Sequence, residues 1–408
     1  MKKIVLLSLI VSPMLMAGGY KIPETSLNGV ALSAANIAHN KSADAAYYNP
    51  ANMVFMEDSN HLEVDLTYIG LDSIDFKGSS TNSLGTTTST SGIESKSESF
   101  IIPSLHYVSG KAGETRIGLS ITAPGGLSKR WDNQPATGKA EEFTLKIIEI
   151  NPTVAIPVND KLAVAFGFRI LHSEGAVKVT PSANVAYQDM TGDSIDYGYN
   201  FALAYKATSD LEMAFTYRSQ VNLTETGSSD LKYPSPSVSG SYDTSLTVPL
   251  PASASLALAY NLASKTTIEF VYERSMWSAY KSIDFEYFDA TAEAVFGTTK
   301  TKNWNDTNTF RLGITQEFDS MIVMVGMVYD ETPVPDDTIS FELPDSDSFS
   351  VSLGGRYQIN DKLDFGLAGL YSMRTSRNVN NNNENDTVTG EFSNGNVLIL
   401  SAGVGYEF

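Results

Sequence analysis

The sequence predicts an all-β chain, a transmembrane antiparallel β-barrel of about 14 strands preceded by a small N-terminal segment outside the strand pattern. Three observations predict it. From about residue 60 the hydrophobic period is two, as in Leu162, Val164, Phe166, Phe168 and Ile170 alternating with Ala163, Ala165, Gly167, Arg169 and Leu171. Six short turn signals alternate with seven long polar segments. The last strand carries Leu400, Ala402, Val404, Tyr406 and Phe408 on one face and stops at the aromatic Phe408, the usual ending of bacterial outer-membrane barrels, read by the barrel assembly machinery. Alternation alone would suit a soluble sandwich equally well, so the connections and the ending decide.

The chain starts Met1-Lys2-Lys3, then runs apolar from Ile4 to Met16 and reaches small residues at Ala17-Gly18-Gly19. An apolar helix of that length rises about 20 Å, short of the roughly 30 Å of a bilayer core. Residues 1–17 therefore read as a signal peptide, with cleavage expected after Ala17, and the protein as exported. Residues 18–58 are rich in Ala, Asn and Ser, with a helical stretch expected around Ser26–Ala38. They hold too little apolar surface for a separate domain. Patterning leaves open whether they hang in the periplasm or fold inward.

Residues 59–408 form the expected barrel. Its short turns lie at 110–113, 159–161, 208–210, 263–265, 319–320 and 360–362. Its long connections lie near 78–95, 124–141, 179–193, 226–243, 288–303, 332–346 and 378–393, and are expected to be solvated loops. Thirteen connections require about 14 strands. Leu211, Met213, Phe215 and Tyr217, then Phe349, Val351, Leu353 and Tyr357, then Leu363, Phe365, Leu367 and Tyr371 repeat the pattern. One face is apolar and aromatic; the other is small, polar or charged.

Composition narrows the function. With no Cys there is no disulfide, thiolate zinc site or iron–sulfur cluster. A net charge of −19 argues against nucleic acid as a partner. The four histidines, His39, His61, His106 and His172, show no metal-ligand spacing. A hydrolase built on His172 and Ser173 is disfavoured because adjacent strand residues point to opposite faces. The reading is of a non-enzyme without cofactor or metal. Asp336, Asp337, Asp345 and Asp347 are candidates for calcium bridging lipopolysaccharide, although acidic loops are commonly just solvated.

Specific motifs then appear. Gly18-Gly19-Tyr20-Lys21-Ile22-Pro23-Glu24-Thr25-Ser26 leads through Ala43-Asp44-Ala45 to Asn49-Pro50-Ala51-Asn52-Met53. Pro124-Gly125-Gly126-Leu127, Trp131, Asn151-Pro152, and Trp304, Asp306, Arg311, Leu312 and Gly313 follow. Thr332-Pro333-Val334-Pro335-Asp336 and Leu343-Pro344-Asp345-Ser346-Asp347 complete the set. This pattern resembles the FadL/TodX family of outer-membrane transporters of long-chain fatty acids and aromatic hydrocarbons. One departure is the absence of Arg near Ile339 or Ser340 and at Ser348.

The resemblance implies a 14-stranded barrel plugged by the hatch. It implies that Asn49-Pro50-Ala51 packs against an inward kink in the third strand, around Gly118, Pro124, Gly125 and Gly126. A hydrophobic ligand would enter at extracellular loops, occupy an interior pocket and leave sideways through a gap in the wall. Lumen-phase Arg169 and Arg311 are candidates for a ligand head group, against the plainer reading that such Arg pair with lumen acids. The implied partners are a fatty acid or hydrocarbon and the lipid and lipopolysaccharide of the outer membrane, with the protein a monomer. The alternative is a surface barrel without selective transport, an adhesin or a general porin.

Overall fold

The computed structural model describes residues 18–82, 85–181, 187–233, 238–297, 299–383 and 386–408. The expected signal peptide, residues 1–17, lies outside them. β1 (His61–Leu71) leaves the wall through the hairpin β2 (Ile74–Thr81) and β3 (Thr87–Glu94) and returns as β4 (Glu98–Val108). β5 (Arg116–Arg130), β6 (Glu142–Asn159), β7 (Leu162–Val179) and β8 (Tyr187–Lys206) follow. Four staves are each interrupted once: β9 (Leu211–Arg218) with β10 (Val221–Lys232), β11 (Gly240–Leu250) with β12 (Ala252–Leu262), β13 (Thr266–Met276) with β14 (Ser282–Tyr287), and β15 (Thr299–Thr301) with β16 (Thr307–Glu317). β17 (Met321–Asp330), β18 (Ser348–Asn360) and β19 (Leu363–Arg374) come next. A second excursion, β20 (Arg377–Asn383) and β21 (Asp386–Asn394), precedes β22 (Val397–Glu407).

β22 pairs antiparallel with β1 from His61↔Glu407 to Leu71↔Val397, which closes the ring. The result is a closed antiparallel barrel of 14 staves. Closure is what a hydrocarbon solvent demands, since it offers no partner to an open strand edge. The period of two explains the rest. Ala163 and Ala165 are fully buried inward, whereas Phe166 and Phe168 on the other face are half exposed. Leu353 and Leu367 are likewise turned outward, at 60% and 58% exposure. Large apolar groups facing out and small or polar ones facing in are the signature of a wall solvated by lipid. Tyr205, Tyr260, Phe318, Tyr357 and Tyr406 are exposed near the short turns and form one aromatic girdle.

The six short turns fall where the sequence places them. Much of the long connections, however, is strand rather than loop. β2, β3, β20 and β21 make a separate four-stranded sheet above the barrel, from segments read as solvated loops. β5, β7, β8, β10 and β11 also extend into those segments. Their residues are mostly polar, with buried apolar groups such as Ile93, Val379, Val388 and Phe392 too sparse to set up a sustained alternation; the backbone pairs because the wall below holds the strands in register. The buried face of the upper sheet carries Phe76 and Phe392, with ring centroids 4.7 Å apart. Phe341 meets Phe76 at 4.8 Å and Trp131 at 5.4 Å, tying the connection between β17 and β18 beneath the sheet.

The N-terminal segment is almost entirely buried although it is not strand. The expected helix over Ser26–Ala38 is shorter, Leu27–Ala31, with Ser26 Oγ accepting from Gly29 N at 2.9 Å as its N-cap. It stops because Ser33 and Ala34 take left-handed φ values of 49° and 61°. Inward glycines of the wall admit it. A methyl on Gly354 would stand 2.5 Å from Ala31 Cβ, and one on Gly326 would stand 2.3 Å from the Leu32 carbonyl carbon.

Polar groups of the wall hold the same segment. Glu269 accepts the backbone N–H groups of Ile37, Ala38 and His39 at 2.7, 2.7 and 3.0 Å. Arg356 donates to Asn28 Oδ1 and Asp364 Oδ1, each at 2.7 Å, and also to Glu63. Arg356→Ala would leave Glu63 buried and unpaired, an expected loss of about 3–5 kcal/mol. The temperature at which the folded gel band converts to the unfolded one should fall; an unchanged value would remove Arg356 as an anchor.

Candidate functional site

The third stave, β5, begins as an ordinary wall strand. It pairs with β4 from Val108↔Gly118 to Leu105↔Ile121 and with β6 on its other side. Above Ile121 it leaves β4. The register with β6 shifts between Thr122 and Gly125, and in–out alternation disappears, with every residue from Thr122 to Lys129 buried. Contact with the stave before it resumes only at the top, where Ser95 bridges Trp131 and Lys96 N donates to Arg130 O at 2.8 Å. Among the described residues, Glu98–Ser104 of β4 therefore pair with β1 but not with β5. The wall is broken here.

The inward-turned part of β5 finds other backbone partners. Ile22 N donates to Pro124 O and Gly126 N donates to Tyr20 O, both at 2.9 Å, with a bridge between Lys21 and Gly125. Pro124 has no N–H to offer β4, and a methyl on Gly125 would stand 2.8 Å from Tyr20 O. Lys21 then reaches across the lumen to Glu273 Oε1 at 2.6 Å and Ser275 Oγ at 2.9 Å. The segment Tyr20–Ile22 thus spans from the kinked strand to β13.

Asn49-Pro50-Ala51 sits elsewhere. Asn49 is fully buried; its Oδ1 accepts from Ala51 N at 3.1 Å and its Nδ2 donates to Ile37 O and Leu203 O at 2.9 and 3.2 Å. Ala51 packs with Met53, Ala155, Ala163 and Ala204 against the lower parts of β6, β7 and β8. The residues that meet the kink are Tyr20–Ile22 instead. Gly118 lies below the break, in the paired part of β5, where a methyl would meet Met53 Sδ at 2.7 Å. Of the four glycine and proline candidates, Pro124, Gly125 and Gly126 are in the inward-turned part.

Arg169 and Arg311 converge with Pro124 on one cavity of about 60 Å³, also lined by Lys21, Tyr47 and Glu273. Their roles differ. Arg169 is committed, to Glu149 at 2.8 Å and Ser219 O at 2.6 Å. Arg218 holds the other oxygen of Glu149 and lies over the Tyr47 ring, 4.4 Å from its centroid. Arg311 is 3% exposed, yet its Nε and Nη1 have no hydrogen-bond partner. Burial pushes the nearby Glu24 carboxyl up to about 7 despite the pull of Arg311. Arg311 lies in the field of Glu24, Glu273 and Asp330, and its Nε and Nη1 have the fork geometry that suits a carboxylate.

Sequence reading missed Lys21, Glu273 and Tyr47. Lys21 was visible inside the N-terminal motif, but nothing local says which strand it reaches. Below the segment the lumen opens into a vestibule of about 710 Å³ carrying Lys41, Glu57, Lys206, Glu212, Glu317 and Asp364. Of the acidic candidates above, Asp336, Asp345 and Asp347 are engaged within the chain. Asp336 pairs with Arg377, Asp345 with Arg374 at 3.1 Å, and Asp347 accepts from Thr332 N at 2.8 Å. Arg374 and Arg377 bring to this connection the positive charge absent from its own sequence. His172 is partly exposed and bonded to Ser194 O, whereas Ser173 points inward. No group of three potential metal-ligating side chains occurs among the described residues.

The family profile described as "Outer membrane protein transport protein (OMPP1/FadL/TodX)" matches residues 8–408. The long-chain fatty acid transport protein of Escherichia coli O6:H1 (strain CFT073) is 22% identical over 312 residues, covering 66% of this chain and 69% of that one. The 47 kDa outer membrane protein of Pasteurella multocida (strain Pm70) is 24% identical over 203 residues, 46% of each chain. Among solved structures, a Pseudomonas aeruginosa FadL homologue superposes with a TM-score of 0.85 at 18% identity, covering 95% of this chain and 99% of that one. The P. putida toluene transporter TodX gives 0.68 at 15% identity, covering 94% and 99%. With a closed 14-stave wall and a family match over essentially its whole length, the chain belongs to the OMPP1/FadL/TodX family of outer-membrane transport proteins and resides in the bacterial outer membrane.

Proposed function

We propose that this protein takes up hydrophobic compounds, long-chain fatty acids or aromatic hydrocarbons, and releases them sideways into the membrane through the break between β4 and β5. The observation that carries the reading is that the third stave abandons its neighbour and is held by Tyr20–Ile22 in its place. Two features of the interior support it. The direct route to the periplasm runs through a vestibule lined with charged groups. Sending an alkyl chain into that water costs about 0.8 kcal/mol per CH₂, whereas lateral release keeps it in hydrocarbon. The relatives named above are a fatty acid transporter and a toluene transporter, which brackets the ligand class.

In this reading residues 18–58 act as the hatch. Tyr20–Ile22 caps the gap, while Asn49-Pro50-Ala51 fixes the base of the hatch against β6–β8. Arg311 receives the head group, and Arg169 holds Glu149 in place beside it. A general porin is the competing reading, and buried packing across the lumen counts against it. Planar-bilayer recordings of the purified protein should show no large steady conductance; a porin-like current would overturn selective transport.

Asn49→Ala removes three side-chain bonds, two within the hatch, to Ile37 O and from Ala51 N, and one to Leu203 O of the wall. Uptake of labelled oleate should fall several-fold, from about 1 kcal/mol per lost bond, while the heat-modifiable folded band persists. Normal uptake in that variant would dismiss a gating role for the motif. Arg311→Ala should weaken fatty-acid binding about tenfold or more, the scale of a hydrogen bond to a charged group, and leave neutral hydrocarbons unaffected. Equal losses for both ligand types would place the head-group contact elsewhere.

A further inference from the structure

The break between β4 and β5 is closed at both ends. Below, β5 is held by the ladder from Val108↔Gly118 to Leu105↔Ile121. Above, among the described residues, the backbone tie is slight: Ser95 bridges Trp131, and Lys96 N donates to Arg130 O at 2.8 Å. Ser95 and Leu105 are as far apart along the chain as Ile121 and Trp131. β5 therefore bows inward with no more residues than its neighbour, and the opening it leaves depends on where its ends are tied. Side chains reinforce the upper tie. Arg130, the last residue of β5, donates from Nε to Glu98 Oε1 at 2.7 Å and from Nη2 to Glu98 Oε2, a bidentate fork. Glu98, the first residue of β4, is fixed in the wall opposite Leu71 of β1, with its side chain only 3% exposed. Lys129 Nζ donates to Ser95 Oγ at 3.2 Å. Trp131, beyond the fork, is bonded to Glu141 O and Phe341 O, neither of them on β4. From inside, Tyr20 and Ile22 hold the middle of the bow.

We propose that the Glu98–Arg130 fork is a positioning pair that fixes the upper end of the wall opening and thereby sets the bulk of hydrocarbon that leaves through it: one extended alkyl chain or a single aromatic ring, and not a fused-ring system. The inference rests on the lateral-release reading and adds a size limit to it. Neighbouring strand axes lie about 4.8 Å apart, so a stave turned out of line leaves roughly 10 Å between the strands on either side, much of it filled by their backbones. What remains is on the order of one strand spacing, enough for an alkyl chain or a ring passing edge-on. With the fork in place the top of β5 stays beside β4, because moving away would strand a buried carboxylate without its partner. Without the fork, the slight backbone tie at Ser95 and Lys96 is left to oppose the hold of Tyr20 and Ile22, and the opening lengthens toward the outer surface. The pair acts only through the position of β5.

The chain has no cysteine, so Glu98→Cys combined with Arg130→Cys gives a variant that can be untied and tied again in the same membrane. Neutral probes are used, so that no ligand charge competes for the fork: toluene, hexadecane and the fluorescent fused-ring hydrocarbon pyrene. Entry is followed in cells carrying the full chain in their outer membranes, against the same cells without it. The parent should speed toluene and hexadecane but leave pyrene at the background rate. The untied variant, with its heat-modifiable folded band intact, should keep toluene and hexadecane within about twofold and take up pyrene at least about tenfold faster, as for a barrier lowered by about 1.4 kcal/mol. Bridging the two thiols with a short cross-linker should return pyrene to background. Glu98→Gln serves as the untied form if the double variant does not assemble. An untied variant that still excludes pyrene, a tied one that admits it, or a parent that admits it overturns this inference alone. A parent that speeds neither toluene nor hexadecane overturns the transport reading and this inference with it.

Discussion

Hydrocarbon offers no hydrogen bonds, and that constraint governs this molecule. It forces the ring to close between β1 and β22, and it makes the break between β4 and β5 the feature that everything nearby must accommodate. The inward turn of β5 takes its N–H and C=O groups away from lipid and pairs them with Tyr20 and Ile22. The N-terminal segment is therefore part of the sheet's accounting of backbone groups, supplying the neighbour that β4 does not.

The second constraint is burial of charge. The lumen is packed closely enough that its ionised groups are out of water, so they occur in sets: Glu149 with Arg169 and Arg218, Arg356 with Glu63 and Asp364, Lys21 with Glu273. Such sets specify geometry more than they add stability, because desolvation offsets much of the attraction. Lys21–Glu273 and Arg356–Asn28 link the wall to the N-terminal segment across the interior. Arg311, like Arg374, has guanidinium nitrogens without a hydrogen-bond partner, and it lies beside a small cavity. A buried donor without a partner is costly in a purely structural setting.

Above the membrane the constraint relaxes, and the chain responds with a different core. Trp131, Phe76, Phe341 and Phe392 gather four distant connections under one small sheet. Trp131 also donates from Nε1 to Phe341 O at 3.0 Å. Arg377 bonds Asp336, Val334 O and Asp345 O, fixing the connection between β17 and β18 over the barrel mouth.

The sequence by itself determined the wall. Alternation of period two and the six short turns are local signals, repeated along the chain, and each constrains a stave independently of its neighbours. It also exposed Pro124-Gly125-Gly126 as a place where regular pairing weakens, since proline and glycine carry that information in their own backbones. Only the tertiary structure decided what fills the weakened place. That Tyr20–Ile22 meets the kink while Asn49-Pro50-Ala51 packs lower down, that Arg169 is spent on Glu149 while Arg311 is not, and that polar segments near residues 80 and 385 join in one sheet are all pairings between distant residues. Such pairings leave no periodicity: their partners are chosen by the curvature of the closed ring, which brings residues hundreds of positions apart within bonding distance.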